Sequence, residues 1–412
     1  METTPHRFVP DLPPSAEKVF GGQPVGRYTR RDQEKGGDVD HPATTINFRL
    51  PGPTPLPPPV LAAMQRPMIP HRGPEFRALY SETLAMARAV HRTEHPVLLW
   101  PATGSAGWEM AIVNLLSPGD PVLAAVCGDF GERFARVGVA LGLDVRRLDV
   151  PWGHAVEPEP LRGALQANPD VKAVFLTHNE TSTGVTTPLQ ELASVVREHG
   201  ALIVVDSVSG VGALPLEMDT WGLDFVLSGS QKAWMCPPGL LIAAIGPRAW
   251  DAVERSGYPR FFWDIEAARA SAEQGMTPTT PPLTLIYAVR AALEMILHEG
   301  IDQVWDRHRR LGEQTRAGIS AAGLRLFAAP GRASDSVTAF LPPPGVSAST
   351  FLDLLRREHG VEAQGGQGHL ADSLLRIGHM GWAHEAELGA AVDAVAHVAA
   401  DVRACKASTA TR

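Results

Sequence analysis

Leu227-Ser-Gly-Ser-Gln-Lys-Ala-Trp234 is the stretch whose reading decides the fold. It sets Lys232 between small residues and the apolar run Pro237-Pro-Gly-Leu-Leu-Ile-Ala-Ala244. Burying an ammonium group without a partner is costly. A lysine in such a place is either held by ordinary structural or solvent contacts, or it is not free and carries an aldehyde cofactor as a Schiff base. The lysine alone does not choose between the two. Its surroundings do.

The strand before it belongs to a repeating order. Apolar strands are predicted at Val97–Trp100, Val122–Val126, Asp144–Leu148, Val171–Leu176, Leu202–Val205 and Phe225–Leu227. A helix is predicted at Trp108–Leu116, and amphipathic helices lie between most of the strands, at Gly131–Leu141, Pro158–Gln166 and Pro188–His199. Strands read as apolar throughout and alternating with helices indicate an α/β fold, a mainly parallel sheet covered on both faces. In such sheets ligands sit beyond the carboxyl ends of the strands.

Polar residues collect at those ends. Thr103-Gly-Ser105 lies between a strand and a helix start, where backbone N–H groups and the helix dipole can hold a phosphate, or where the hydroxyls simply cap the helix. Neither GxxxxGK[ST] nor GxGxxG is present, so this is no nucleotide loop. Asp206 closes the strand Leu202–Val205. A carboxylate there needs a charged or donor partner; a protonated ring nitrogen would serve, as would a cap or an ion pair. Thr181 and Ser182 offer hydroxyls to the same crevice, and Phe130 is either core or a face for a planar ring.

Hydroxyl–glycine loop, aromatic, hydroxyl loop, aspartate and a lysine 26 positions after the aspartate follow one another in order. That combination resembles the class V aminotransferases among the fold-type I pyridoxal-phosphate enzymes, nearest to the alanine–glyoxylate and serine–glyoxylate group. The resemblance rests on Thr177-His-Asn-Glu-Thr-Ser-Thr-Gly184, Val205-Asp-Ser-Val208, Ser228-Gly-Ser-Gln-Lys232, Pro237-Pro-Gly239 and Leu375-Arg-Ile-Gly378. Pro51-Gly-Pro53 and His71-Arg-Gly-Pro-Glu-Phe76 look similar too, and the likeness covers roughly residues 46–400.

The resemblance implies a fold-type I architecture with a sheet of the seven-stranded type and pyridoxal 5'-phosphate as cofactor. Lys232 would carry the cofactor and move the substrate's α proton. Asp206 would pair with the ring nitrogen, Val208 would pack on the ring and Phe130 would stack on its other face. Thr103, Gly104, Ser105 and Gln231 would hold the phosphate, and Thr181 the ring hydroxyl. Arg376 would bind the substrate carboxylate, near Pro51 and Gly52. A homodimer with active sites at the interface is implied, Thr280 of a second subunit reaching the phosphate. Thr277 stands where the family often has a tyrosine. The implied reaction moves an amino group from a small amino acid (alanine, serine or glycine type) to glyoxylate or pyruvate by a ping-pong mechanism.

Other readings share the fold. Cysteine desulfurases resemble a pattern with histidine before the lysine and a mobile cysteine; here Gln231 precedes Lys232, and Cys236 sits in a proline-bound turn. A specialised amine donor, such as pyridoxamine or a biosynthetic intermediate, stays open, as does another lyase. A regulator without turnover would need a DNA-binding module, for which residues 1–45 are too short and proline-rich.

Bulk properties frame these readings. A chain of 412 residues exceeds one ordinary core, so two domains are expected. The expected division is an N-terminal tail or arm over 1–45, a large domain over 46–300, a small α+β domain over 301–405 and a tail over 406–412. In the second half, helices are predicted at 283–299, 301–322, Thr350–His359 and from Ala383, with strands at Leu324–Phe327, Val337–Leu341 and Leu374–Ile377. A net charge of -8 argues against nucleic acid as partner. An odd count of three cysteines, without CxxC, points to a reducing compartment. With no metal motif, membrane span or signal core, a cytoplasmic location is expected.

Overall fold

The computed structural model describes residues 46–410. The expectation of a tail or arm over residues 1–45 falls outside the described residues. The central sheet consists of β1 (Val97–Trp100), β2 (Pro121–Val126), β3 (Asp144–Asp149), β4 (Ala173–Thr177), β5 (Leu202–Asp206), β6 (Phe225–Gly229) and β7 (Leu241–Ile245). Their spatial order is β1-β7-β6-β5-β4-β2-β3. All neighbours are parallel except β7, which runs antiparallel to both β1 and β6. The apolar run after Lys232 therefore returns as a strand of the same sheet. This is the α/β, fold-type I sheet of seven strands.

Alternation along each strand feeds two cores. Val97 and Leu99 join one cluster, with Leu176, Val205 and Ile242; Leu98 and Trp100 join the other, with Phe175, Val204 and Leu241. Helices α1 (Pro74–His91), α2 (Ala106–Leu115), α3 (Asp129–Ala140), α4 (Pro158–Ala167) and α5 (Leu189–His199) cover these faces. Helix α1 went unread in the sequence, although Phe76, Leu79, Tyr80, Thr83, Leu84, Ala87 and Val90 are buried at helical spacing. The strand read as apolar at Asp144–Leu148 is β3 at the sheet edge, where Arg146 and Arg147 pair with Asp170, Glu132 and Asp149 rather than entering a core.

The second half contains α6 (Leu283–Glu299), α7 (Ile301–Ala321), β8 (Val337–Phe340), α8 (Ala348–His359), β9 (Gln364–Gly365), β10 (Leu375–Gly378) and α9 (Glu385–Ala410). The three strands form an antiparallel sheet in the order β8-β10-β9. The strand expected at Leu324–Phe327 is reduced to one bridge, Leu326 to Phe340. The chain leaves the sheet there for the turn at Gly331, whose φ of 77° suits glycine. Asn47–Phe48 pairs in parallel with Val361–Glu362, and this delivers Pro51 and Gly52 to the lysine loop.

Candidate active site

Lys232 and Asp206 meet at the carboxyl ends of β6 and β5. Asp206 is 3 % exposed. Its Oδ1 accepts from the Val208 N–H at 2.9 Å and its Oδ2 from the indole Nε1 of Trp108 at 2.9 Å. Burial pushes the carboxyl up to about 6, opposed by those two donors and by the charge of Lys232. Burial also brings the Lys232 ammonium down to about 8, helped by the Arg376 guanidinium and opposed by Asp206. An amine so placed is a usable base near neutral pH.

A short segment holds the lysine from the other side. Lys232 Nζ donates to the Pro51 carbonyl, Thr54 Oγ1 donates to the Lys232 carbonyl at 3.0 Å, and the Thr54 N–H donates to the Gln231 carbonyl at 3.1 Å. Gly52 has a φ of 113°, and a Cβ there would stand 2.5–2.8 Å from the outer atoms of the lysine side chain.

Gly104, Ser105, Phe130, Thr181, Val208 and Gln231 line one cavity with Lys232 and Asp206. Trp108, Asn179 and Ser209 line it as well. Gly104 and Ser105 lie at the N-terminus of α2, and no hydrogen bond among the described residues engages their N–H groups. A Cβ on Gly104 would fall 2.4 Å from Val208 Cγ2, so only glycine lets this turn approach. The Gln231 side chain carries a buried amide oxygen without a partner. Free N–H groups at a helix start suit a phosphate, and the Gln231 amide can meet it only through its NH2 group. A buried carboxylate and a poised amine in the same cavity suit the ring of pyridoxal phosphate, so the residues present fit that cofactor.

Glu180 ties the walls together. It is fully buried and accepts from the N–H groups of Phe130 (3.4 Å), Gly131 (3.1 Å) and Ser182 (3.1 Å), and from Ser182 Oγ (2.5 Å). One carboxylate thus joins the start of α3, which carries Phe130, to the turn that carries Thr181. Thr181 Oγ1 lies 2.5 Å from Ser209 Oγ, which also receives Asn179 Nδ2 at 2.8 Å.

Arg376, on β10, is 4 % exposed. Its Nε donates to the Gly365 carbonyl at 2.8 Å; its Nη1 donates to the Thr181 carbonyl at 3.0 Å and to Gln367 Oε1 at 3.1 Å. Burial lowers its pKa to about 10 against the charges of Glu180 and Asp129. These three bonds leave Nη2 without a partner among the described residues. Arg376 is not one of the cavity-lining side chains, but its charge acts on Lys232.

One sequence expectation lies apart from the cavity: Thr103 is exposed and does not line it. Thr280, expected to act at a partner subunit's site, is exposed. Trp108, Glu180, Asn179 and Ser209 were missed. Trp108 had read as the opening of a helix, and nothing in the sequence points an indole N–H at a particular carboxylate. Cys236 is buried, donates to the Trp234 carbonyl at 3.1 Å and has its thiol pKa pushed up by burial. A thiol held protonated is not a mobile nucleophile. A wider hollow between His154, Glu157 and Arg332 has its charges paired internally, Arg332 donating twice to Glu157 at 2.7 Å.

Comparison with known proteins extends the picture. The family model described as aminotransferase class-V matches residues 46–383. The chain is similar to a protein described as the soluble hydrogenase small subunit of a Synechococcus strain, 39 % identical over 86 % of this chain and 92 % of that one. It is equally similar, at 39 % identity over 81 % of this chain and 85 % of the other, to the L-aspartate–glyoxylate aminotransferase of Paracoccus denitrificans. Among solved structures it is similar to the alanine–glyoxylate aminotransferase of a Nostoc species. The TM-score is 0.83 at 31 % identity, covering 90 % of this chain and 100 % of that one.

Proposed function

The chain belongs to the class V aminotransferase family and is a pyridoxal-phosphate-dependent transaminase. On that premise we propose that it moves the amino group of a small amino acid, of the alanine, serine or glycine type, to glyoxylate or pyruvate in two half-reactions. The observation that carries this reading is Arg376, the guanidinium whose charge acts on Lys232. A single guanidinium whose charge reaches the reactive amine matches a substrate with one carboxylate. The named activities of the Paracoccus and Nostoc relatives support glyoxylate as acceptor.

Pyridoxal phosphate, when bound, supplies a ring that accepts the negative charge left on the substrate's α carbon. Lys232 would hold the cofactor, and its Nζ would take the substrate's α proton. Its lowered pKa keeps a neutral fraction available for that step. Asp206 keeps the ring nitrogen protonated. Phe130 and Val208 would flank the ring, and Thr181 would meet its hydroxyl. Gly104, Ser105 and Gln231 bind the phosphate, with Thr103 at the same turn. Arg376 orients the substrate carboxylate near Pro51 and Gly52.

The same reading includes a homodimer in which Thr280 of one protomer reaches the phosphate site of its partner, and a cytoplasmic location. No helix of the described residues is long and apolar enough to cross a membrane. A large domain over 46–300 and a small one over 301–405 are proposed too; a hydrophobic cluster drawn only from Leu311 onward supports the division.

The test is the visible spectrum of the purified holoprotein, with Lys232→Ala alongside. A band lost on adding L-alanine, L-serine or glycine, and restored by glyoxylate or pyruvate, is expected. A band that ignores all three donors would overturn the substrate assignment while leaving the family intact.

A further inference from the structure

Asp206 already has a side-chain partner that the catalytic reading does not use. Trp108 donates from Nε1 to Oδ2 at 2.9 Å, while the Val208 N–H occupies Oδ1 at 2.9 Å. Each carboxylate oxygen has about two acceptor positions, so each keeps one for a donor in the cavity. Trp108 is 3 % exposed. Its ring packs on Phe134 at 5.8 Å between centroids, and Phe134 stacks on Phe175 at 4.2 Å, which immobilises the indole. It rides on α2, the helix whose first turn presents Gly104 and Ser105 to the same cavity. One rigid helix thus meets the cavity at two points.

We propose that Trp108 is a positioning residue that acts through Asp206: its indole N–H fixes the carboxylate and withdraws charge from Oδ2, so that the proton between Asp206 and the cofactor's pyridine nitrogen stays on the nitrogen. The inference rests on the reading of Asp206 as the ring partner. Its chemistry is that of competing bases. A buried carboxylate is made more basic by loss of water, and each donor it accepts makes it less so. An indole N–H only donates, so unlike a hydroxyl or an imidazole it cannot turn to accept. Without it, Asp206 is the stronger base of the pair and draws the proton off the ring, which then accepts charge less well.

The experiment is Trp108→Phe in the holoenzyme loaded with pyridine-15N pyridoxal phosphate. Phenylalanine keeps an aromatic ring beside Phe134 but removes the N–H together with the five-membered ring, so Trp108→Leu is run alongside to gauge the packing loss. The expected result is a 15N shift toward the unprotonated nitrogen, with kcat lowered about 10- to 100-fold, the worth of one hydrogen bond to a charged group, and KM for the amino donor within about twofold. A 15N shift equal to that of the wild type overturns the proposal, whatever the rate. A rate loss that tracks a lower melting temperature, as Trp108→Leu should show, overturns it too and makes Trp108 a core residue. Asp206→Asn in the same measurement separates the two levels. If it moves the 15N signal and Trp108→Phe does not, only the indole's role fails; if neither does, the reading of Asp206 fails.

Discussion

Gly52 and Lys232 approach so closely that a Cβ on the glycine would lie 2.6 Å from Nζ and 2.5 Å from Cδ of the lysine. The carbonyl of Pro51, one residue earlier, accepts from that Nζ. A stretch 180 residues before the lysine therefore sets the position of its amine. The atoms in the way are the far end of a flexible chain, so a methyl group at position 52 moves the lysine before it moves the backbone.

Gly52→Ala is accordingly expected to strike function harder than folding. Its φ of 113° and the displaced amine together cost a few kcal/mol, on the order of 100-fold in kcat. Steady-state kinetics and the visible cofactor band check it. Unchanged kinetics in a fully loaded variant would mean that the lysine tip is free to relocate.

The cofactor-free protein should carry a pH signature of Asp206. Its folded carboxyl titrates near 6, above the ordinary value of 3.8, so between those values the folded state binds more protons than the unfolded state. Stability from this group is present below about pH 4 and is lost as pH rises through 6, a change of about 3 kcal/mol. Urea midpoints at pH 4.5 and 7 for the wild type and Asp206→Asn provide the check. The variant should gain relative stability at pH 7; parallel behaviour at both values would refute the shift.

Glu180→Gln replaces a pure acceptor of four hydrogen bonds with an amide whose NH2 must face N–H groups. A loss of about 1–3 kcal/mol in stability is expected. Cofactor affinity should fall as well, because Glu180 joins the segments bearing Phe130 and Thr181. Thermal melts and a fluorescence titration with pyridoxal phosphate measure both. Wild-type affinity in a destabilised variant would confine Glu180 to the fold.

Arg376→Lys keeps the charge but loses the planar fork and the Nε bond to Gly365. KM for the amino donor should rise about 10- to 100-fold, with a smaller change in kcat. If KM holds and only kcat falls, the substrate carboxylate is bound elsewhere, and Arg376 acts on the charge of Lys232.

Much of this was legible along the chain because chemistry and backbone share the same short stretches. Asp206 ends an apolar strand and Lys232 follows the next, so strand reading alone sends both to one sheet edge. The same logic sent Gly104, Ser105 and Thr181 to the cavity that Lys232 lines, while Gln231 was implied only by the family resemblance. It failed where the partner is remote or the pattern unread. The run Pro237–Ala244 reads only as apolar and its return as strand β7 went unread, and α1 was passed over despite its period. The strand expected at Leu324–Phe327 shrank to a bridge because the chain turned away.

What the sequence determined by itself is the alternation of strands and helices and the order of polar strand ends, since these depend on local periodicity and on residue types at adjacent positions; the cofactor came with the family resemblance that those residues carry. Tertiary structure alone decided that the carbonyl of Pro51 holds Lys232, that Trp108 holds Asp206 and that Glu180 joins Phe130 to Thr181. Those contacts depend on crossover connections and on side-chain direction, which set distances between residues far apart in the chain; spacing along a sequence does not encode them.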